Sequence, residues 1–526
     1  MANATTAPVA TMPGLPATQL TAKRLIAFVV MVFGMFMSIL DIQIVSASLS
    51  EIQAGLSASP TEVSWVQTAY LIAEVIGIPL SGFLSRAFGT RYLFAVSAAG
   101  FTFSSLLCGF SSSINEMIIW RALQGFLGAG MIPTVFATGY TIFPSNKFHI
   151  VGPIVGLVAT LAPTVGPTVG GYITDAMSWH WLFFINIVPG IGITLGVLAL
   201  VDFDKPHLEL LDRFDWWGLL FMAGFLGSLE YVLEEGPQYE WMQDTSIAIF
   251  AWVCGISAIA FFWRVLTAAE PIVDIRAFTD RNFGLGSVLQ FCIGVGLYGL
   301  TYVYPLYLAQ VRGYSALMIG ETVFVSGITM FLVAPLIGRL MLTIDSRYLI
   351  AFGLVVFAIS CYQMTWITRE FDFDELLLPQ ILRGVGMMFA MVPNNNVALG
   401  TLPRERVKNA SALFNLMRNL GGAVGLAVIN TVLNDRTDLH ITRLQERVTW
   451  GNATATDTLN MLMQRFQGTG DSARMALKEL SLLVHRQAVV MSFGDIFFIL
   501  TLFYLASILL VIQLDKSMAA SSEPAH

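Results

Sequence analysis

The feature that most constrains this chain is the repeated occurrence of long apolar runs, each near the length that crosses a lipid bilayer. A helix needs about 20 consecutive apolar residues to span the hydrocarbon. Such runs occur at 25–49, 63–83, 93–110, 117–137, 150–172, 182–200, 216–233, 247–266, 283–306, 319–341, 349–367, 376–399, 410–432 and 496–514. They predict an all-α polytopic membrane protein with fourteen transmembrane helices.

The composition agrees with this interpretation and excludes other classes of protein. Hydrophobic residues make up 56% of the 526 residues and charged residues only 12%, whereas about a quarter of an ordinary soluble protein is charged. The net charge of −7 offers no basic surface for nucleic acid. The four cysteines lie in apolar stretches without zinc-ligand or disulfide spacing, so no metal site is expected.

The runs fall into groups of six, two and six, separated by polar stretches at 202–215 and 270–281. Most of the 28 Lys and Arg residues lie on segments that become cytosolic if the N-terminus is inside, as expected because basic loops resist translocation. The predicted segments are a disordered cytosolic tail at 1–22, an N-terminal six-helix bundle at 23–203, a linker with two extra transmembrane helices at 204–281, a C-terminal six-helix bundle at 282–514 that includes an extracytoplasmic loop at 434–490, and a cytosolic tail at 515–526.

The two groups of six resemble each other. "GFLSRAFGTRYL" begins at Gly82 and "GRLMLTIDSRYL" at Gly338, and both follow the second run of their group. Arg121 and Arg383 each lie in the fourth run of their group. Parallel halves that bind cargo between them near the midplane are a known transporter architecture.

Five motifs occur in order in the first half of the chain. They are "LDIQIVSASL" from Leu40, "GFLSRAFGTR" from Gly82, "WRALQGFLGAG" from Trp120, "APTVGPTVGG" from Ala162 and "WHWLFFINIVPG" from Trp179. With these motifs the chain resembles the major facilitator superfamily, and specifically its fourteen-span, EmrB-like drug/proton antiporters. The resemblance covers nearly the whole chain.

The resemblance implies the major facilitator fold, with two six-helix bundles and two inserted linker helices. It also implies multidrug efflux, in which protons drive the export of amphipathic drugs or toxic compounds across the bacterial inner membrane, without enzymatic activity or a cofactor. For the 434–490 loop it implies a membrane-fusion adaptor and an outer-membrane channel as partners; a cap over the outer mouth is the alternative. Proton-coupled transport of a specific metabolite or nutrient, and a membrane sensor, are the alternative functions.

The chain departs from the family pattern at three positions. Gln43 and Ser46 stand where the first-span motif usually has Thr and Asn, and Ser85 stands where many members carry Asp. The resemblance implies that the loop motif forms a gate at the cytosolic side, through Gly82, Arg86, Gly89 and Arg91. Because Ser85 lacks a charge, this gate is expected to be latched differently.

Asp41 is the first candidate for proton coupling. A carboxylate at membrane depth costs about 2.5–3.5 kcal/mol on insertion scales, so its presence suggests a function. Arg121 lies at comparable depth in the fourth run, so the two are predicted to pair, and the proton occupancy of Asp41 then depends on whether Arg121 stays near. A static ion pair that fixes helix packing is the alternative.

Glu74 is the second candidate, close to the middle of the second run. No basic residue lies on its own helical turn, so a neutral, protonated carboxyl is the less costly resting form. Such a group binds a proton or a cationic cargo, and competition between the two gives antiport. The alternative is an acid hydrogen-bonded to Ser or Thr on another helix.

The fifth run carries glycines four residues apart in "GPIVG" from Gly152 and "GPTVG" from Gly166. This spacing favours close helix packing. We expect a second gating element that packs against the small residues of the 319–341 run in the opposite half, with ordinary helix packing as the alternative. Its residues are Gly166, Pro167, Gly170 and Gly171.

Cargo of this kind requires an apolar, adaptable surface with few polar groups, which Met, aromatic and amide side chains provide. A buried arginine also needs a partner. For each Met or aromatic residue, packing or lipid contact is the alternative. The predicted cargo residues are Gln43, Gln290, Tyr298, Tyr302, Arg383, Met387, Met391, Asn394, Asn395, Asn415 and Arg418.

Overall fold

The computed structural model describes residues 21–144, 147–268, 271–467 and 471–516. Nearly all of the tail predicted at 1–22 and of the tail predicted at 515–526 therefore lies outside the described residues. Within the described ranges the chain forms eighteen α-helices joined by turns, short 3-10 or π segments and irregular connections.

The helices follow the apolar runs in order. They are α1 (Ala22–Ala47), α2 (Leu49–Leu56), α3 (Pro60–Ala87), α4 (Gly89–Gly109), α5 (Ile114–Gly128), α6 (Met131–Ile142), α7 (Phe148–Ala176), α8 (Trp181–Phe184), α9 (Ile187–Leu200), α10 (Trp216–Glu235), α11 (Thr245–Thr267), α12 (Arg281–Tyr307), α13 (Ala316–Leu340), α14 (Ser346–Met364), α15 (Phe373–Leu399), α16 (Arg404–Gln445), α17 (Ala453–Arg465) and α18 (Ser472–Ile512).

Local sequence signals explain where several helices begin and end. Ser59 and Glu62 form a capping box at the start of α3, which satisfies backbone donors that have no partner within the helix. Asp372 and Glu375 form another at the start of α15. Gly89 connects α3 to α4 with a φ of +78°, a conformation that a glycine adopts readily because it has no Cβ.

Thirteen helices among the described residues are long and apolar enough to cross a membrane. The predicted fourth run, 117–137, is divided between α5 and α6, which are separated by Ala129 and Gly130. Each piece alone is shorter than a span, and together they have the length of one. The predicted fourteen spans are therefore compatible with the structure.

The two groups of six helices contact each other along two seams. The first joins α7 to α13, where Gly320 lies against Thr168 and Gly327 against Thr164. The second joins α3 to α16, where Gly82 lies against Ala412. The linker helices α10 and α11 pack on each other, and α10 also packs against α3 and α16.

The last two spanning helices are longer than the sequence predicted. α16 has 42 residues and α18 has 41, which corresponds to about 60 Å each at 1.5 Å per residue, twice the thickness of the hydrocarbon. Both extend beyond the runs at 410–432 and 496–514 into the predicted 434–490 loop, where α17 lies between them. Hydrophobicity marks where a helix leaves lipid, and a helix continues in water when its polar residues pack, as α17 does on α18 through Leu462 and Ala476.

Candidate proton and cargo sites

Asp41 and Arg121 form an ion pair inside the N-terminal bundle. Arg121 Nη1 lies 2.7 Å from Asp41 Oδ2, and both side chains are fully buried. The structure therefore brings together the two residues whose pairing the sequence predicted. Removing either partner would leave an uncompensated buried charge.

The aspartate also accepts hydrogen bonds from two amides that the sequence analysis did not assign to the site. Asn186 Nδ2 donates to Asp41 Oδ1 at 2.7 Å, and Gln124 Nε2 donates to the same oxygen at 3.2 Å. Both residues lie in motifs quoted above, and this position was the signal in the sequence that could have pointed to them. A motif does not show, however, which of its side chains face Asp41. The carboxylate is thus held by three donors from α5 and the α8–α9 turn.

The guanidinium of Arg121 is fixed by α3 as well. Its Nε donates to the carbonyl oxygen of Val66 at 3.2 Å, and its Cζ lies 4.3 Å from the centre of the Tyr70 ring. Such a cation–π contact is attractive in a desolvated site. Its Nη1 also donates to Gln124 Oε1 at 2.7 Å, whereas Nη2 is buried without a partner among the described residues.

Glu74 is buried on α3 and has 2% of its surface exposed. Its Oε1 has no hydrogen-bond partner in the part of the chain that the structure describes. Arg418 of the opposite half, Arg121 and Asp41 act on it electrostatically. Glu74 has no basic residue on its own turn, as predicted, but arginines of other helices interact with it. The alternative interpretation was a hydrogen bond to Ser or Thr, and none is found at Oε1.

Arg383 is the C-terminal counterpart of Arg121 but has no carboxylate partner within the described residues. Its Nη2 donates to Thr301 Oγ1 at 2.8 Å and its Nη1 to Gln380 Oε1 at 3.3 Å. Its Cζ lies 5.4 Å from the Tyr304 ring centre, and the side chain is fully buried. Among the described residues, the groups that hold this arginine are therefore neutral.

Four predicted cargo residues lie along α12, α15 and α16 with polar atoms that are buried and unsatisfied. Asn394 Nδ2 donates to Gln290 Oε1 at 3.2 Å, while Gln290 Nε2 has no partner among the described residues. Both side-chain polar atoms of Asn395 and the Oδ1 of Asn415 are also unpaired there. Each polar atom that is buried without a hydrogen bond lowers the stability of the fold by about 1–3 kcal/mol. These residues are therefore suited to bind a polar ligand or water.

Arg418 extends this polar group toward the N-terminal half. It is 1% exposed, and its Nε, Nη1 and Nη2 make no well-formed hydrogen bond among the described residues, although Tyr298 lies near enough to interact with it. Its Cζ lies 5.9 Å from the ring centre of Phe136 on α6. In the part of the chain that the structure describes, the two buried arginines of the C-terminal bundle, Arg383 and Arg418, thus have no carboxylate within ion-pair distance.

The remaining predicted cargo residues are distributed differently. Gln43 packs against Gly166 on the α1–α7 contact. Tyr298 donates to Asn419 Oδ1 at 3.3 Å, and Tyr302, which is 36% exposed, donates to Asn430 Oδ1 at 2.8 Å. Met387 and Met391 are buried on α15.

The predicted gate between α3 and α4 makes contacts across the two halves. Lys408, at the start of α16, donates to the carbonyl oxygen of Ser85 at 3.0 Å and forms an ion pair with Asp204. Asp204 also accepts from the backbone nitrogen of Thr90 at 3.0 Å. Although Ser85 carries no charge, Asp204 supplies the carboxylate from a distant part of the chain.

The arginines of the same gate lie against aromatic rings. The Cζ of Arg86 is 5.7 Å from the ring centre of Phe83, and that of Arg91 is 5.8 Å from the ring centre of Tyr92. Gly82 contacts the α16 backbone at Asn409, and Gly89 lies near Asp204. The four predicted gating residues are therefore grouped at one end of the bundle.

The predicted packing of α7 against α13 of the opposite half is confirmed, but two of the α7 glycines assigned to it lie elsewhere. Gly166 lies against Gln43 and Gly170 against the carbonyl oxygen of Ile44, so both pack on α1 of their own half rather than on the opposite half. The contact with α13 uses the other face of α7, through Thr164 and Thr168, and the glycines there belong to α13. A helix presents residues i and i+4 on a single face, and the sequence did not show which face that was. Pro167 and Gly171 lie in the same helix, and the gating role of all four residues remains a prediction.

The described cysteines are free, and three of them are buried. No group of three or more His, Cys, Asp and Glu residues that suits a metal ion is found in the described ranges.

Comparison with known proteins identifies the family. The model of the Major Facilitator Superfamily matches residues 31–426. The chain belongs to the Major Facilitator Superfamily. A colistin resistance protein, EmrB of Acinetobacter baumannii, is 41% identical over 93% of this chain and 96% of its own length. The multidrug export protein EmrB of Escherichia coli is 30% identical over 90% of this chain and 92% of its own.

The structural comparison supports the same fold. The crystal structure of a human organic anion transporter matches 92% of this chain and all of its own with a TM-score of 0.57 at 13% sequence identity. The predicted architecture of this major facilitator protein is thus confirmed: it is an all-α, multi-pass membrane protein.

Proposed function

We propose that the chain is a proton-coupled antiporter that exports amphipathic drugs or other toxic compounds from a bacterial cell. The observation that supports this most is the presence of two buried acids in the N-terminal half: Asp41 is paired with Arg121, and Glu74 interacts electrostatically with Arg418 of the opposite half. The relatives named above include a colistin resistance protein and a multidrug export protein. Their names agree with this function.

In this proposal Asp41 exchanges its proton as the two halves move. While Arg121 lies 2.7 Å away, the charged carboxylate is favoured. A movement that separates them leaves a buried carboxylate without its counterion, and proton uptake then lowers the free energy. The proton gradient is the energy source, and no cofactor is needed.

Cargo binds in the polar group formed by α12, α15 and α16. Its unsatisfied amides and Arg418 offer both donors and acceptors, and buried methionines and aromatic rings surround them. Such a surface adapts to cargo of varied shape. Glu74 faces this group from α3 across the seam, so cargo and protons compete at the same place.

The driving force is sufficient for resistance. One elementary charge moving through 100 mV releases about 2.3 kcal/mol. At 1.4 kcal/mol for each factor of ten, this supports a concentration ratio of about 40.

We place the protein in the bacterial inner membrane with both termini in the cytosol. The distribution of Lys and Arg supports this orientation. In it, the gate formed by Lys408, Asp204 and Gly82 lies on the cytosolic side, and the long ends of α16 and α18 project outward.

A membrane-fusion adaptor is the partner proposed for this outward projection. The extension carries exposed large apolar side chains, among them Trp450 at 83% exposure, Met461 and Leu477. Exposed apolar groups on a structure outside lipid favour a protein contact. A shortened loop that exports normally in cells would contradict this part of the proposal.

The function is tested in proteoliposomes with an acidic lumen. The wild-type protein is expected to accumulate the cationic dye ethidium in the lumen at the expense of the proton gradient, and Asp41→Asn and Glu74→Gln are expected to abolish this accumulation. Asp374→Asn, which changes an exposed carboxylate at the start of α15, is the matched control and is expected to behave as wild type.

The sign of proton movement distinguishes export from uptake. An antiporter alkalinises the lumen when dye is added outside, whereas a symporter acidifies it. Full gradient-driven accumulation in the Asp41→Asn and Glu74→Gln variants would contradict the proposed coupling, and lumen acidification on dye addition would contradict antiport.

A further inference from the structure

The linker helix α10 carries three glutamates near its C-terminal end, Glu230, Glu234 and Glu235. Neither the sequence motifs nor the family resemblance gave this helix a function. Glu230 is 5% exposed and Glu235 is 3% exposed, although α10 belongs to neither six-helix bundle. Buried carboxylates in a membrane are costly enough to suggest a function.

Contacts with α3 fix the level at which these glutamates lie. Glu235 Oε1 accepts a hydrogen bond from Thr68 Oγ1 at 3.0 Å, close to the predicted outer end of α3. Deeper in the membrane, Gly227 lies against Ile72 and Ile76. Because α10 and α3 run antiparallel, Glu230 lies between these two contacts, at about the level of Glu74.

Glu230 and Glu74 are close enough to act on each other electrostatically, as are Glu230 and Glu234. The described residues provide no ion pair for any of the three. The unpartnered Oε1 of Glu74 belongs to the same group. Carboxylates of like charge in a desolvated site do not all ionise, so the group must hold protons or another cation.

The other helices packed on α10 contribute few charges to this group. The titratable or charged side chains that face it are Tyr298 and Tyr302 on α12, which interact with Glu230 and Glu234 respectively, and Arg418 on α16, which acts on Glu74. On the α11 side, Asp244 and Tyr239 act on Tyr231 rather than on the glutamates. Arg121 and Asp41 of the N-terminal half also act on Glu74, so two cations, Arg418 and Arg121, are shared by several acids among the described residues.

The group also has a connection to the surface. Glu234 is only half-buried, and its neighbour Tyr302 is 36% exposed. From there the carboxyls descend along α10 from Glu234 to Glu230, one helical turn deeper, and then cross to Glu74 on α3. This order matches a route from the predicted outer side to the seam between the halves.

We propose that Glu234 and Glu230 of the linker helix bind protons in turn and deliver them from the outer side to Glu74. In each step the O–H bond of one carboxylic acid breaks as an O–H bond forms on the next carboxylate, directly or through water. The proton enters from the outer solution, and Glu74 releases it toward the cytosol when cargo takes its place. This inference rests on the proposed antiport and adds a route by which its protons arrive.

The route is tested by measuring two rates in proteoliposomes for each variant. The first is ethidium accumulation driven by an acidic lumen, and the second is ethidium exchange at equal pH, which needs no net proton movement. Glu230→Gln is expected to slow the driven accumulation by about tenfold or more, as loss of a positioned proton-transfer group implies, while exchange stays within about twofold of wild type.

The matched variants sharpen the result. Glu230→Asp keeps a carboxylate and is expected to restore most of the driven rate, and Glu234→Gln is expected to show a loss in the same direction as Glu230→Gln. Glu240→Gln changes an exposed carboxylate in the turn after α10 and is expected to match wild type in both rates.

Three results would overturn the inference. Driven accumulation in Glu230→Gln equal to wild type would remove the route, and equal loss of both rates would show a structural role. A raised ethidium concentration for half-maximal exchange, with the maximal driven rate retained, would show that these acids hold cargo instead. If the wild-type protein itself shows no gradient-driven accumulation, the proposed antiport is wrong. If wild type and Glu230→Gln accumulate ethidium equally, the antiport stands and only the proton route is wrong.

Discussion

The two six-helix halves place a buried arginine in the fourth span of each but give it different partners. In the N-terminal half, Arg121 meets the carboxylate of Asp41 on α1 at 2.7 Å. In the C-terminal half, Arg383 meets the hydroxyl of Thr301 on α12 at 2.8 Å. Asp41 and Thr301 both lie on the first helix of their half, at a similar distance from its start.

This difference indicates that the repeat has been divided between two tasks. A carboxylate next to an arginine can take up a proton when the two separate, whereas a hydroxyl cannot. An arginine without a counterion keeps its charge available to a ligand. We therefore expect the N-terminal half to couple protons and the C-terminal half to present a positive charge to cargo.

The largest expected effect concerns stability. Arg121→Met leaves Asp41 buried without its counterion and is expected to lower the free energy of unfolding by about 3–5 kcal/mol. Arg383→Met leaves no carboxylate without a counterion, so the free energy of unfolding is expected to stay the same or to rise. Thermal unfolding of both purified variants measures the difference, and equal losses would break the comparison between the halves.

A smaller effect is expected when the C-terminal half is given the missing acid. Thr301→Asp places a carboxylate beside Arg383 and is expected to reduce the export of an anionic dye by about tenfold, which corresponds to 1.4 kcal/mol. Thr301→Asn, which has similar size and no charge, is the control. Unchanged anionic export in Thr301→Asp would show that Arg383 does not serve cargo.

The smallest effect concerns the gate, where Lys408 of the C-terminal half pairs with Asp204 at the start of the linker. Lys408→Met removes the ion pair with Asp204, a partly exposed contact worth about 0.5–1 kcal/mol. A cysteine introduced at Ala412, with the native cysteines replaced by serine, is then expected to react with a maleimide about threefold faster from the cytosolic side.

The matched control for the gate is Arg347→Met. Arg347 pairs with Asp345 at 3.0 Å within its own half, so its loss is expected to leave labelling at position 412 unchanged. Equal labelling in Lys408→Met and wild type would show that Lys408 does not hold the gate closed.

Much of the fold could be predicted because lipid imposes a length on each apolar run, and the runs mark nearly every spanning helix. The apolar runs did not give the full length of α16 and α18, because a helix that leaves lipid is marked by amphipathic spacing and not by a continuous apolar run. Such spacing is present in "ITRLQERV", "LNMLMQRF" and "ARMALKELSLLV", but it does not show that these helices continue the spans. The pairing of Asp41 with Arg121 followed from depth alone. Asn186 was missed because depth does not show which side chains share a face.

The acids of α10 were missed for a related reason. The apolar run ends at 233, so the sequence predicts that Glu234 and Glu235 form the polar end of the helix. The burial of Glu235 depends on a contact with Thr68 of α3 that the sequence does not display. The same holds for Asp204, whose pairing with Lys408 joins parts of the chain far apart in sequence.

The central claim is that buried acids of the N-terminal half exchange protons for cargo. The most direct measurement is the release of protons into a weakly buffered solution when ethidium binds the purified protein. The account predicts that the wild-type protein releases protons on binding and that the Asp41→Asn, Glu74→Gln double variant binds dye without release. Release of the same number of protons by the double variant would contradict it.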